Sequence, residues 1–158
     1  MTEEYRVPKR PVPIELKLAW QHPKRLCLYV ADHAERHTGG EYPSDLMNGV
    51  ERFIPAVDGD GRLMLFQRTE VMVLSVSAEH ENGAGESGGE DVFTAVAVKL
   101  VLEDDTRVAG AMEYFRPQGQ RRVQDYLKTA EQFIPVRESE KIHLVNRDKI
   151  VSVSFADS

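Results

Sequence analysis

The densest set of potential metal ligands in the chain is Asp32-His33-Ala34-Glu35-Arg36-His37. Two histidines four residues apart share one face of a helix, and with a carboxylate they could hold zinc. The segment follows an apolar run and ends in Gly39-Gly40, which favours a solvated loop, so no metal site is expected. The single cysteine, Cys27, lies in the run Leu26-Cys27-Leu28-Tyr29-Val30. No base or helix N-terminus stands beside it to activate a thiol, and a small buried hydrophobe is expected. The sequence holds no Ser-His-Asp order, paired-carboxylate motif, glycine-rich phosphate loop or Cys-x-x-Cys. Neither a catalytic residue nor a cofactor site is therefore expected.

The polar residues that do stand out are those that recur. Asp45, Asn48 and Arg68 in the first half occupy positions matched by Asp125, Lys128 and Arg147 in the second. These six are the candidates for contact with a partner or with RNA. The aspartates also suit helix N-caps, as does Ser44, and the arginines suit turns between closing strands. His143 falls on an alternating segment and is expected to face outward. Trp20 and Tyr29, near the first turn, suit either a core or a partner anchor.

Their recurrence belongs to an internal duplication. Asp45-Leu46-Met47-Asn48-Gly49-Val50-Glu51-Arg52-Phe53-Ile54-Pro55 aligns without gaps on Asp125-Tyr126-Leu127-Lys128-Thr129-Ala130-Glu131-Gln132-Phe133-Ile134-Pro135, with five of eleven pairs identical. Further matches keep the same order: Leu63–Arg68 with Ile142–Arg147, Lys17-Leu18 with Lys99-Leu100, and Arg25-Leu26 with Arg107-Val108. A repeat of this kind implies one structural unit used twice. The expected layout is an N-terminal extension (1–12), a first module (13–77), an acidic glycine-rich linker (78–92) and a second module (93–158).

The elements that would position these residues are strands. Ile14, Leu16 and Leu18 alternate with polar residues, as do Val96, Val98, Leu100 and Leu102, the period of a half-buried strand. Each module then has a second strand, a loop, a short helical segment and two final strands joined by a polar turn at Gln67-Arg68-Thr69 or Asn146-Arg147-Asp148. A mainly β protein with short helices is expected, built of two tandem pseudo-symmetric small barrels or sandwiches of four to five antiparallel strands each. Modules of about 60 residues are marginal alone, so packing between copies or chains is expected.

Composition narrows the function. The net charge is −6, and five acidic residues with no basic one lie within Ala78–Val92. Neither module is strongly basic, which disfavours duplex DNA. No apolar run approaches the roughly 20 residues that span a bilayer, and the charged Met1–Arg10 segment is unlike a signal peptide. A lone cysteine permits no internal disulfide, so a cytoplasmic protein is expected.

Asp45-Leu46-Met47-Asn48 followed by Arg68-Thr69 resembles the paired motifs of Sm-like small barrels, although the second motif lacks its glycine. That resemblance implies a small barrel and a single-stranded RNA pocket near Asp45, Asn48 and Arg68. Arg6-Val7-Pro8-Lys9-Arg10 with Asp32 is similar to the opening of PilZ domains, which bind cyclic di-GMP. The second PilZ motif is broken by Ala34 and His37. The overall pattern also resembles uncharacterised bacterial domains that occur in pairs. The leading expectation is a non-enzymatic binding or scaffolding protein with a protein partner or self-association. Sm-like RNA binding is the alternative, and a PilZ-like module stands behind it.

Overall fold

The structure, a computed structural model, describes residues 9–31, 40–81, 93–115 and 123–155. Alternation of apolar and polar side chains makes the first strand, β1 (Lys9–Leu18), which buries Val12, Ile14 and Leu16. It is followed by β2 (Lys24–Ala31), a short helix α1 (Pro43–Met47), β3 (Phe53–Val57), β4 (Leu63–Gln67) and β5 (Val71–Ser77). The second half repeats this order with β6 (Phe93–Leu102), β7 (Arg107–Phe115), α2 (Val123–Thr129), β8 (Phe133–Glu138), β9 (Lys141–Asn146) and β10 (Ile150–Phe155).

The protein is mainly β, with two short helices among the described residues, and the strands of its two halves run on into one another. All ten join one antiparallel sheet in the order β10-β6-β7-β8-β9-β5-β1-β2-β3-β4. The halves meet at the β5–β9 ladder, where Val73 pairs with Val145, Leu74 with Leu144, Ser75 with His143 and Val76 with Ile142. Each half contributes five strands in the same order, the fifth strand lying beside the first.

That order overturns the expected closing hairpins. β4 and β5 are not sheet neighbours, nor are β9 and β10. Single 3-10 turns, Arg68–Glu70 and Arg147–Lys149, link them instead. The step from Gln67 to Val71 covers at most about 15 Å of chain, whereas four inter-strand spacings in a flat sheet would separate β4 from β5 by about 19 Å. Each half is therefore forced to curl until its two outermost strands, β4 and β5 or β9 and β10, approach at their linked ends.

The two halves share one pairing register. The rung Leu16–Leu74 corresponds to Leu100–Val153, and Cys27–Val57 corresponds to Ala111–Arg137. The same β-bulge recurs as well: the register slips between Lys17 and Leu18 in one half and opposite Ser152 and Ile150 in the other. These registers set Leu16 against Leu100 and Leu26 against Gly110. The sequence match of Lys17-Leu18 with Lys99-Leu100 is thus two residues out of step, as is that of Arg25-Leu26 with Arg107-Val108. A two-residue slip preserves which face each side chain occupies, so alternation alone could not detect it.

Two module boundaries also move. Strand β1 starts at Lys9, and Val12 is fully buried, so residues 9–12 belong to the first half. At the other end, Ala78–His80 forms a 3-10 turn and Glu81 is buried. The Glu81 carboxylate accepts hydrogen bonds from the Ser44 backbone N–H at 2.8 Å and from the Ser44 hydroxyl at 2.7 Å. An acid there suits the positive end of α1, so Glu81 is a built part of the fold rather than linker. The remainder of the acidic segment, 82–92, lies outside the described residues, as does the histidine-rich 32–39 segment.

Two apolar cores result, and each half helps to build the other's. The first gathers Val12, Leu16, Leu28, Ile54, Phe66 and Leu74 from its own strands, and Phe133, Ile142 and Leu144 from the second half. The second core gathers Leu100, Met112, Ile134 and Val145, and takes Met72 and Val73 from β5.

Candidate interaction surface

The six recurring polar residues were the expected binding positions, and the structure gives most of them work within the fold. Asp45 sits in the first turn of α1, where its carboxylate accepts the Tyr42 N–H at 2.7 Å. It closes the helix start from inside the first turn, with Tyr42 as N-cap, instead of being the N-cap itself. Asp125 holds the matching place in the first turn of α2.

The two arginines both grip the end of the helical segment. Arg68 donates from Nε to Glu51 O at 2.9 Å and from Nη1 to Met47 O at 3.2 Å. Arg147 donates to Leu127 O at 3.3 Å and to Ala130 O. Carbonyls at a helix C-terminus lack partners, and a cation beside them satisfies both hydrogen bonding and the dipole. This recurrence is structural: each arginine ties a 3-10 turn to its helix.

Asn48 reaches across the seam between halves. Its side-chain amide donates to Phe133 O at 3.1 Å while its carbonyl accepts from Phe133 N at 2.7 Å. Phe133 offers both groups for a geometric reason. Arg147 N donates to Gln132 O, so the Phe133–Asn146 rung is a non-hydrogen-bonded one and the Phe133 amide and carbonyl turn away from β9. Arg68 also crosses the seam, to Gln132 Oε1 at 3.0 Å. The Asn48 side chain and the Nε and Nη1 atoms of Arg68 are thus engaged within the protein. Lys128, which corresponds to Asn48, is exposed on α2.

Two further seam residues were missed by sequence reasoning. Asn146 is fully buried, and its amide donates to Thr69 O at 3.1 Å and Val71 O at 2.9 Å in the opposite half. Asp104 is buried and joins Lys17 at 3.0 Å and the Trp20 N–H at 3.1 Å. Burial works to raise the Asp104 carboxyl pKa. Hydrogen bonds from Thr106, Lys17 and the Trp20 backbone outweigh it and hold the group well below the usual carboxylate range.

His143, expected to face outward, is instead mostly covered and forms a polar chain across the seam. Its Nδ1 lies 2.7 Å from Ser75 Oγ and its Nε2 2.8 Å from Glu138 Oε1. In the neutral ring Glu138 accepts from Nε2–H and Ser75 donates to Nδ1. Ser75 sits in mid-strand, with Glu15 and His143 as its rung partners on either side. A serine whose neighbouring amides are spent in two ladders has no oxyanion donors beside it, so the chain is a cross-strand contact and not nucleophilic machinery. Cys27 is half-buried rather than fully buried, and Tyr29 and Trp20 are exposed.

The remaining surface of note is formed by the two ends of the sheet. At one end β3 and β4 expose Phe53, Leu63 and Leu65; at the other β10 exposes Val151 and Phe155. Beside β10 lies a cleft of about 380 Å³ lined by Val123, Gln124, Leu127, Lys128, Val153 and Phe155. No family model matches the chain, and no curated protein or solved structure matches it either.

Proposed function

We propose that the chain is a non-enzymatic scaffolding protein of two repeated β-modules, working in the cytoplasm and binding protein through its two open sheet edges. The observation that carries this reading is the chemistry of those edges. An edge strand offers unpaired N–H and C=O groups, and proteins usually blunt such edges with lysine, proline or inward charges. Strand β4 reads Leu63-Met64-Leu65-Phe66-Gln67 and β10 reads Ile150-Val151-Ser152-Val153-Ser154-Phe155. Neither contains a charge or a proline, and both expose large apolar side chains. Edges of this composition suit strand addition, in which backbone pairing supplies affinity and alternate side chains supply specificity.

The test is affinity capture from the source cell with wild type, Leu65→Lys and Val151→Lys, followed by mass spectrometry. Loss of captured proteins in one or both edge variants supports the reading. An unchanged set in both variants refutes it.

A further inference from the structure

We propose that the partner at these edges is a second copy of this chain, docking β10 of one molecule onto β4 of the next in the register already used between β5 and β9. The inference rests on the edge-binding reading above and names the occupant.

The argument compares each exposed edge residue with its counterpart at the internal seam. Phe133, Ile142 and Leu144 of the second half are buried in the first core. By the shared register their counterparts are Phe53, Leu63 and Leu65, which are 51%, 68% and 59% exposed. Across the same seam, Met72 is buried in the second core, and its counterpart Val151 is 66% exposed. With Phe155, whose counterpart Val76 is buried in the first core, five of the eight large apolar side chains exposed among the described residues have equivalents buried at the seam.

The cleft beside β10 fits the same account. Three of its lining residues, Leu127, Val153 and Phe155, correspond to Met47, Leu74 and Val76. Those three are buried in the first core together with Phe133, Ile142 and Leu144. The cleft is thus the second core's unfilled site, and Phe53, Leu63 and Leu65 of another molecule are the side chains that match it.

The internal rungs Leu74–Leu144 and Val76–Ile142 translate into Val153 opposite Leu65 and Phe155 opposite Leu63. Such a contact is heterologous, so repetition produces a closed ring or an open filament. Some seam contacts do not carry over. The Asn48 clamp becomes Lys128, which can donate to a carbonyl but cannot accept from an amide. The Arg68–Gln132 contact becomes Arg147 facing Arg52. The outer junction is consequently weaker than the inner one, and assembly is reversible and concentration-dependent.

Sedimentation velocity and light scattering from low to high micromolar concentration provide the first test, and wild type should grow beyond the monomer mass. Leu65→Glu and Val151→Glu, both at exposed positions, should each remain monomeric with an unaltered circular dichroism spectrum. Mixed together they should form a one-to-one dimer that grows no further, because each retains the edge that the other has lost. In a Cys27→Ser background, Leu65→Cys with Val153→Cys should cross-link between molecules on oxidation, while Leu63→Cys with Val151→Cys, out of register, should not. A wild type that stays monomeric throughout, or cross-linking indifferent to register, overturns the inference. If the wild type is monomeric but edge variants still lose captured proteins, the edge-binding reading survives without self-assembly. If capture too is indifferent to the edges, both fall.

Discussion

Replacing Asn48 by alanine isolates the polar part of the seam. The substitution removes the bonds at 2.7 and 3.1 Å to the Phe133 N–H and C=O. Phe133 is buried, and both groups point away from β9. A buried polar group left without a partner costs about 1–3 kcal/mol. Asn48 itself is half-buried, so water entering the vacated space recovers part of that cost. A net loss of about 2–3 kcal/mol is expected. For a chain of this size about 1 kcal/mol moves the melting temperature by roughly 2–4 °C, so Asn48→Ala should melt about 5–10 °C below wild type. Urea unfolding followed by circular dichroism gives the free energy directly. Lys128→Ala, at the corresponding exposed position, should stay within about 0.5 kcal/mol of wild type. An equally small change in Asn48→Ala would refute the reasoning and show that the clamp contributes nothing to the seam.

Met72→Ala should cost about 2–5 kcal/mol, because a fully buried side chain of β5 leaves a cavity in the second core; Val151→Ala, measured on dilute protein, should cost less than about 0.5 kcal/mol. Because the folded-state pKa of Asp104 is depressed, its stabilising contribution is present above the ordinary carboxylate pKa, near pH 4, and is lost as pH falls below it. Unfolding free energy measured from neutral pH downward should therefore drop on acidification, and more shallowly in Asp104→Asn. Gly110→Ala should destabilise by about 1–3 kcal/mol in thermal melts. A Cβ there would meet Arg137 O at 2.5 Å and Val136 Cγ1 at 2.9 Å, and backbone cannot yield as a flexible side chain does.

Local signals in the sequence were legible where the physics is local. Alternation in Ile14-Glu15-Leu16 exposes the strand period, and Asp45 and Asp125 mark the helix starts to within a residue or two. What escaped is non-local. No turn joins β5 to β9, so nothing in the adjacent sequence announces their pairing. One trace of it exists, because Val71-Met72-Val73-Leu74 is continuously apolar whereas its counterpart Ile150-Val151-Ser152-Val153 is broken by Ser152 in place of Val73. A strand buried on both faces loses its alternation, which distinguishes an interior strand from its edge counterpart. Asn48, Asn146 and Asp104 were illegible as seam residues for a related reason. Their partners Phe133, Thr69 and Lys17 are far away in the chain, and polar residue type alone does not tell a clamp from a binding site. The closing hairpins were misread because a three-residue connection suits a hairpin and a 3-10 crossover equally well.

Because β5 supplies Met72 and Val73 to one core and Leu74 and Val76 to the other, the order of synthesis acquires a cost. Translation delivers β5 well before β9 emerges, and at about 5–20 residues per second the gap lasts several seconds or more. Throughout that interval the first half lacks Phe133, Ile142 and Leu144 and displays Met72 and Val73 on an unpaired strand. Slow codons between residues 82 and 140 would prolong this exposure and raise the yield of aggregated protein. Circular permutation that brings β6–β10 to the front would reverse which half waits.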